Sequence, residues 1–249
     1  MTTLSDIHNI AAYCPYRFSA PNDDDGLVGI GADLTAPTLL HAYLSGIFPW
    51  SSYEDSPTWW CPNPRCVFET ASFSPSKSLK RTAKKRTDWW LSVNLAFDEV
   101  IKACSEPRAK ETETWISQEM QDSYGQLHRL GVGFSVEVWA GKPYGELAGG
   151  LYGLKIGAGV FGESMFHRQT DASKLAFWAL NKLCVASHIP LIDCQLPNDY
   201  LLGLGADIIS RDEFLAYLKK AVGLDSPMAQ TASDWQNSNF IKPLSWLYE

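Results

Sequence analysis

The sequence predicts an α+β protein, with a small N-terminal domain ahead of a larger one whose mainly antiparallel sheet is flanked by helices. Two observations carry this. From Gly133 the apolar period becomes two, through Phe134, Val136 and Val138, and glycine-punctuated runs continue it to Met165. The order after that boundary is helices, then strands, then helix, strand, helix, which segregates rather than alternates the two element types. Pro62 and Pro64 hold their predecessors extended, and the boundary is set there, giving domains 1–63 and 64–249.

Met1–Asp25 has mixed character and ends in an acidic loop. Leu27–Ile30 reads as a short strand. Thr35 is placed to cap a helix with Pro37 in its first turn and Gly46 past its end, presenting Leu39, Leu40, Tyr43 and Leu44 to a core. Ser76–Arg86 reads as a short helix. Asn94 is expected to cap a helix over Leu95–Cys104, Glu106–Glu113 reads as a loop, and Ser117 is expected to cap a helix that Gly131 ends. Tyr144–Ala148, Leu151–Ile156 and Val160–Met165 are expected as separate strands, the first two joined by Gly149-Gly150. Ala172–Ser187 is an apolar helix, and Pro190–Gln195 a strand followed at once by Leu-Pro-Asn. Ala206–Ile209 is a last short strand. Ser210 and Glu213 form a capping box for a helix through Val222, and the polar tail from Asp225 is expected to be loosely docked or disordered.

Composition narrows the function. The chain has 249 residues, 45% of them hydrophobic and 20% charged, within the ordinary range for a soluble globular protein. Its formal net charge of −7 argues against a general nucleic-acid coat. Yet Lys77, Lys80, Arg81, Lys84, Lys85 and Arg86 fall within helix 76–86 with no acid between Ala71 and Thr87. Three-to-four-residue spacing gathers them on one face. A solvated face is the default for such a run, but like charges this dense repel. The face therefore reads as a phosphate-binding one that meets a backbone rather than bases. Six scattered cysteines without a Cys-x-x-Cys make a zinc site unlikely by spacing, and Cys184 and Cys194 read as buried thiols. Neither a signal peptide nor a membrane-length apolar run is recognisable, so a cytoplasmic location is expected.

The residues with chemical potential lie in the strand–helix–strand run from Val160 to Asn198. Asp193 and Gln195 project to one side of their strand, at its carboxyl end, where ligand crevices form. Glu163 sits on a strand amid Val160, Phe161, Met165 and Phe166, company that argues for a partly buried site over a solvent-facing acid. Trp50 and Trp115 each read in two ways, as a plug at a corner or as a stacking wall for a base.

Phe48-Pro49-Trp50, Trp59-Trp60 with Pro62, Pro64 and Arg65, Thr114-Trp115-Ile116, Gly162-Glu163-Ser164-Met165-Phe166, Ala172-Ser173-Lys174 and Ile192-Asp193-Cys194-Gln195 occur in this order. The set resembles the bacterial leucyl/phenylalanyl-tRNA–protein transferases and spans roughly Gly26 to Leu218. The resemblance implies an acetyltransferase-like (GNAT-like) fold for the larger domain. It implies that leucine or phenylalanine moves from the 3′ end of Leu-tRNA or Phe-tRNA to the N-terminal α-amine of proteins beginning with Arg or Lys, marking them for degradation. No cofactor and no metal are implied. By motif, Asp193, Gln195, Asn198 and Glu163 are the catalytic candidates. Gln195 and Asn198 would hold the amine and the carbonyl, Asp193 would fix Gln195 and offset charge on the amine, and Glu163 would orient the aminoacyl end. Trp50 and Trp115 would contact the adenosine. Leu151, Phe161, Phe177 and Leu180 would line the apolar pocket, with Leu151 standing where the family commonly has methionine. Two other readings stand beside this one: an acetyl-coenzyme A-dependent N-acyltransferase of the same fold, and a non-catalytic tRNA-binding module. The stretch Arg168–Lys174 lacks the glycines of a pyrophosphate loop, which weighs against the former.

Overall fold

The structure is a computed structural model that describes residues 2–19, 21, 23–107 and 114–249. The last six positions of the loop expected at 106–113 therefore lie outside the described residues. Two helices and three strands open the chain: α1 (Leu4–Ala11), β1 (Leu27–Ile30), α2 (Ala36–Leu44), β2 (Phe48–Tyr53) and β3 (Ser56–Trp60). The strands form a small sheet in the order β1-β3-β2. α1 lies within the segment read as of mixed character, and its Thr3 and Asp6 make a reciprocal cap.

A larger mixed sheet follows, built from β4 (Arg65–Glu69), β5 (Trp90–Val93), β6 (Gly133–Ala140), β7 (Glu146–Ile156), β8 (Gly159–His167), β9 (Leu191–Gln195), β10 (Asp207–Ile209) and β11 (Ile241–Pro243). Its order is β10-β4-β9-β8-β7-β6-β5-β11, and every described pairing is antiparallel except β8 with β9. The helices around it are α3 (Lys77–Lys85), α4 (Phe97–Ser105), α5 (Gln118–Arg129), α6 (Ala172–Ala186), α7 (Asp199–Leu204), α8 (Arg211–Ala221) and α9 (Pro227–Thr231). None of the described helices is long and apolar enough to cross a membrane.

Two sequence expectations are corrected, and of the two readings of the tail docking is the one observed. Gly149-Gly150 is not a turn, because β7 runs unbroken through both and pairs with β6 and β8 on either side. The glycines are there for close approach: a Cβ on Gly149 would lie 2.6 Å from the Ala172 methyl of α6, and one on Gly150 2.8 Å from the Val136 carbonyl. Asn94 does not cap α4. It takes a left-handed φ of 59°, and its side chain accepts from the Ser135 amide and donates to the Gln236 carbonyl. The tail docks: β11 pairs with β5, Trp235 packs edge-on to Phe134, and Lys182 donates to the Trp246 carbonyl.

Helices cover both faces of the sheet. Gly149 lies against Ala172 of α6, while Gly150 lies against Val100 of α4. Alternation along β7 then puts Leu151 on the α6 face and Tyr152 on the other, where its ring meets Phe97 of α4 and Tyr124 of α5 edge-on.

Candidate active site

The site forms where β8 and β9 part. These parallel strands pair at Val160–Ile192 and Phe161–Asp193, with no described pair beyond. Each strand carries an irregularity there. The β7–β8 register slips between Tyr152–Ser164 and Gly153–Gly162, leaving Glu163 as the extra residue. The β4–β9 register slips between Val67–Asp193 and Cys66–Gln195, leaving Cys194 as the extra one. Such bulges bend a strand and re-aim side chains. Here they splay the strand ends, and Gln195 Nε2 donates across the gap to Glu163 Oε1 at 3.3 Å.

Glu163 is held from two further directions. Tyr43 of α2 donates to Oε1 at 2.8 Å, and Tyr124 of α5 lies 3.2 Å from Oε2. Phe161, two residues before Glu163, stacks edge-on against Tyr43 at 5.0 Å. Burial pushes the Glu163 carboxyl up to about 8; the Tyr43 hydroxyl opposes this, the Asp193 carboxylate adds to it, and Tyr124 and Arg65 oppose it further. Burial likewise lifts the Tyr43 and Tyr124 hydroxyls well above the usual tyrosine value.

Asp193 is engaged on its other side. Arg65 Nε and Nη2 reach its two oxygens at 2.8 and 2.6 Å, and both side chains are buried. The guanidinium also donates to the Gly46 carbonyl and is sandwiched by Phe48 and Phe214, whose ring centres lie 4.8 and 4.3 Å away. Asp193 Oδ1 accepts from the Gln195 amide at 3.0 Å, which holds Gln195 at a φ of 58° that costs a side-chain-bearing residue about 1 kcal/mol. Asp193 is therefore matched in charge by Arg65 and fixes Gln195 through the backbone.

The other sequence-derived candidates are placed more widely. Asn198 is exposed and accepts from the Leu201 amide as the cap of α7. Phe161 joins the Glu163 group, whereas Leu151, Phe177 and Leu180 are buried on the α6 side of the sheet. Phe177 there packs against Phe68 and Phe73 at 4.7 and 5.6 Å. Trp50 is 38% exposed on β2, edge-on to Trp60, and two residues from the Phe48 ring that touches Arg65. Trp115 is half-buried just before α5. Among the described residues no hydrogen bond or ring contact joins either tryptophan to Glu163. Two cavities of about 250 and 230 Å³, one lined by His8, Leu44 and Leu218 and one by Phe18, Ile30 and Trp59, contain no member of the Glu163 group.

The basic segment forms α3 as expected, capped by Ser76. Lys77, Lys80, Arg81, Lys84 and Lys85 are exposed, and Arg86 lies over Trp89 at 4.5 Å. None of the six pairs with an acid among the described residues. Thr82 donates to Asp171 at the start of α6. Because α6 begins where β8 ends, and β8 and β9 run parallel, the basic helix is anchored at the end of the sheet onto which the splayed strands open.

Arg65, Tyr43 and Tyr124 were not singled out as functional by sequence. Tyrosines on an apolar helix face read as core, yet a buried tyrosine needs a partner for its hydroxyl, and that requirement was the available signal.

The model of the leucyl/phenylalanyl-tRNA protein transferase family matches residues 67–219, and that of the same family's N-terminal domain matches 32–63. Proteins named leucyl/phenylalanyl-tRNA–protein transferase are similar over nearly the whole chain. The one from Psychrobacter cryohalolentis is 45% identical, covering 96% of this chain and 89% of its own. That from Psychrobacter arcticus is 46% identical over 92% and 85%, and that from Idiomarina loihiensis 44% over 83% and 86%. Among solved structures, L-PGS from Bacillus licheniformis aligns with a TM-score of 0.38 and 10% identity, covering 79% of this chain and 59% of its own, a likeness too remote to bear on fold or function. On its sequence, this chain belongs to the leucyl/phenylalanyl-tRNA–protein transferase family.

Proposed function

We propose that the chain moves leucine or phenylalanine from the 3′ end of its tRNA to the N-terminal α-amine of proteins beginning with arginine or lysine, in the cytoplasm, as a mark for degradation. In a member of this family, the observation that carries the reading is the opening between β8 and β9. Glu163 and Gln195 bridge it, and Phe161 supplies an apolar wall beside them. The aminoacyl ester is already activated, so aminolysis needs no nucleotide. It needs an oriented carbonyl and a neutral amine, and an α-amine with a pKa of about 7.7–8.0 is mostly protonated at neutral pH. Much of the acceleration then comes from holding the two groups together.

In this reading Gln195 and Asn198 orient the amine and the carbonyl, and Asp193, locked by Arg65, sets the Gln195 backbone. Glu163 faces the aminoacyl end. Leu151, Phe177 and Leu180, buried on the α6 side of the sheet, are the apolar lining in this reading. Trp50, exposed beside the Phe48–Arg65 contact, and Trp115, at the start of α5, are the adenosine platforms. Lys77, Lys80, Arg81, Lys84, Lys85 and Arg86 receive tRNA phosphates at the same end of the sheet. An acetyltransferase-like (GNAT-like) topology for 64–249 is supported by the β6–β7–β8 meander, the α6 crossover and the parallel β9. The boundary at 63 is supported by the change from the small sheet to the large one between β3 and β4.

The acetyl-coenzyme A reading is disfavoured by an acid. Asp171, at the start of α6 where a pyrophosphate would sit, carries a carboxylate already engaged by Thr82 and Lys174. The discriminating experiment offers the protein labelled Leu-tRNA with a peptide beginning in arginine, and separately labelled acetyl-coenzyme A. Label in the peptide from the first alone supports aminoacyl transfer; label from the second alone refutes it.

A further inference from the structure

Four oxygens on three side chains meet where α2, α5 and β8 converge. Tyr43 Oη lies 2.8 Å from Glu163 Oε1 and 2.5 Å from Tyr124 Oη, and Tyr124 Oη lies 3.2 Å from Glu163 Oε2. The first two separations are ordinary O–H···O lengths and the third is a longer one, and a proton between the oxygens suits each. Each tyrosine hydroxyl has one proton to give. An ionised Glu163 has none, and one contact would then be two bare oxygens facing each other inside the protein. A neutral Glu163 supplies the third proton and closes the ring. The Gln195 amide fixes its direction: Nε2 donates to Oε1, so Oε1 accepts and Oε2 carries the proton. The ring runs from Oε2–H to Tyr124, from Tyr124 to Tyr43, and from Tyr43 back to Oε1.

We propose that Glu163, Tyr43 and Tyr124 form a closed three-proton ring that serves as the proton exchanger of the transfer reaction, with Glu163 meeting the substrate and the two tyrosines as positioning residues. This rests on the aminoacyl-transfer reading. The attacking nitrogen arrives as an ammonium, forms one bond to the carbonyl carbon and loses two protons. The bond from that carbon to the 3′ oxygen breaks, its electron pair stays on the oxygen, and the oxygen gains one proton; the other proton passes to water. A neutral carboxyl gives a proton to the departing oxygen and recovers one from the nitrogen, so the ring ends as it began. Reversing all three hydrogen bonds moves the acidic proton from Oε2 to Oε1, beside Gln195, without creating charge in an apolar slot.

The surroundings favour the neutral form. Around Glu163 stand Tyr43 from α2, Tyr124 from α5, Tyr152 from β7, Asp193 and Gln195 from β9, and Arg65 from β4. Arg65, the one cation among them, is already occupied by both oxygens of Asp193. Burial raises the Glu163 carboxyl to about 8 and raises all three tyrosines, so no member of the ring is readily an anion at neutral pH.

Infrared difference spectra of the full chain, wild type against Glu163→Gln, test the ring without reference to activity. A protonated-carboxyl stretch should be present at neutral pH, should vanish with a midpoint near 8, and should be missing from the variant. A carboxylate band already present at neutral pH overturns the proposal. Glutamine can fill the ring, accepting from Tyr43 and donating to Tyr124, so Glu163→Gln should fold as wild type does. It cannot exchange a proton, and single-turnover transfer should fall by about 10²-fold or more, with the alkaline limb of the pH profile lost. Transfer at the wild-type rate also overturns the proposal. Tyr43→Phe and Tyr124→Phe should each shift the infrared midpoint and the pH profile; if both stay put, the tyrosines have no part. If the infrared result is positive while the wild type transfers nothing from Leu-tRNA, the ring stands and the transfer reading falls.

Discussion

Arg65→Met should be the costliest single change near the site, and the reason is what it leaves behind. The guanidinium is 1% exposed, holds both oxygens of Asp193 at 2.6–2.8 Å and lies between two aromatic rings. Methionine refills most of the volume between Phe48 and Phe214 but abandons the carboxylate, itself only 3% exposed. Removing one partner of such a pair costs about 3–5 kcal/mol, a large share of the roughly 5–15 kcal/mol that holds a domain folded. With a urea slope of about 2–3 kcal/mol/M, the unfolding midpoint should drop by roughly 1–2.5 M. Adding Asp193→Leu removes the stranded charge, and the double variant should regain most of that loss. Transfer activity should not return with it. The Gln195 amide will have lost the oxygen that holds its left-handed backbone, so Gln195 no longer aims across the gap at Glu163. Urea melts of the two singles and the double, with single-turnover transfer on each, check this. A single variant within about 1 kcal/mol of wild type, or a double no more stable than Arg65→Met, would refute the idea that a buried charge is at stake. A double variant with full activity would refute the positioning role of Asp193.

Glu163 should leave a signature in stability against pH. Its carboxyl is near 8 in the folded chain and about 4.3 when unfolded, so between those values only the folded state keeps the proton. The stability gained from that proton is complete below about 4.3 and is lost as pH rises toward 8, by up to about 1.4 kcal/mol per pH unit. Glu163→Gln should flatten this decline in urea melts taken across the range; an unchanged slope would place the carboxyl elsewhere on the scale. Lys84→Ala with Lys85→Ala should weaken tRNA binding and reduce the slope of log affinity against log salt by roughly 1.4–1.8, with little change in transfer at saturating tRNA. Identical affinity to wild type at every salt concentration would remove α3 from the interface. Trp50→Ala should weaken the binding of puromycin by about 1–3 kcal/mol while leaving the unfolding midpoint nearly unchanged, since the ring is 38% exposed. Calorimetric titration decides, and equal affinity would return Trp50 to a purely structural part.

Elements with local signals were legible. The capping box at Ser210 and Glu213, the capped basic helix and the long apolar α6 all stand where pattern and caps put them. Where a residue answers to something distant, the local signal misled. Gly149-Gly150 looks like a turn because nothing nearby in sequence reveals that Ala172 will press on that strand. Asn94 has the composition of a helix cap, but its side chain serves Ser135 and Gln236, 41 and 142 residues away. Sequence singled out candidates of this group where a polar residue interrupts an apolar run, as Glu163 and Asp193 do. They were missed where a polar atom hides on an apolar side chain: Tyr43 and Tyr124 reach Glu163 across 120 and 39 residues. The two bulges that turn Glu163 and Gln195 toward each other depend on register with β7 and β4, which no periodicity within β8 or β9 encodes.

The proposed boundary at residue 63 would run through the chemistry rather than around it. Tyr43 is the ring's link between Tyr124 and Glu163, and it comes from α2, upstream of that boundary. The Gly46 carbonyl and the Phe48 ring, both upstream, hold the guanidinium of Arg65, which lies just downstream and in turn holds Asp193. An N-terminal unit that only presented tRNA to a self-sufficient sheet would have no need of a buried hydroxyl at 43 or of a carbonyl aimed at a buried cation. Those groups have a purpose only if α2 is seated before the site can work. The seating is itself expensive to undo, because withdrawing α2 would leave Glu163 with one tyrosine and Arg65 without its third acceptor, both in a dry interior. It follows that the small unit contributes to proton handling and to the geometry of Gln195, so that variants at its contact with the sheet should alter the pH profile as well as tRNA affinity.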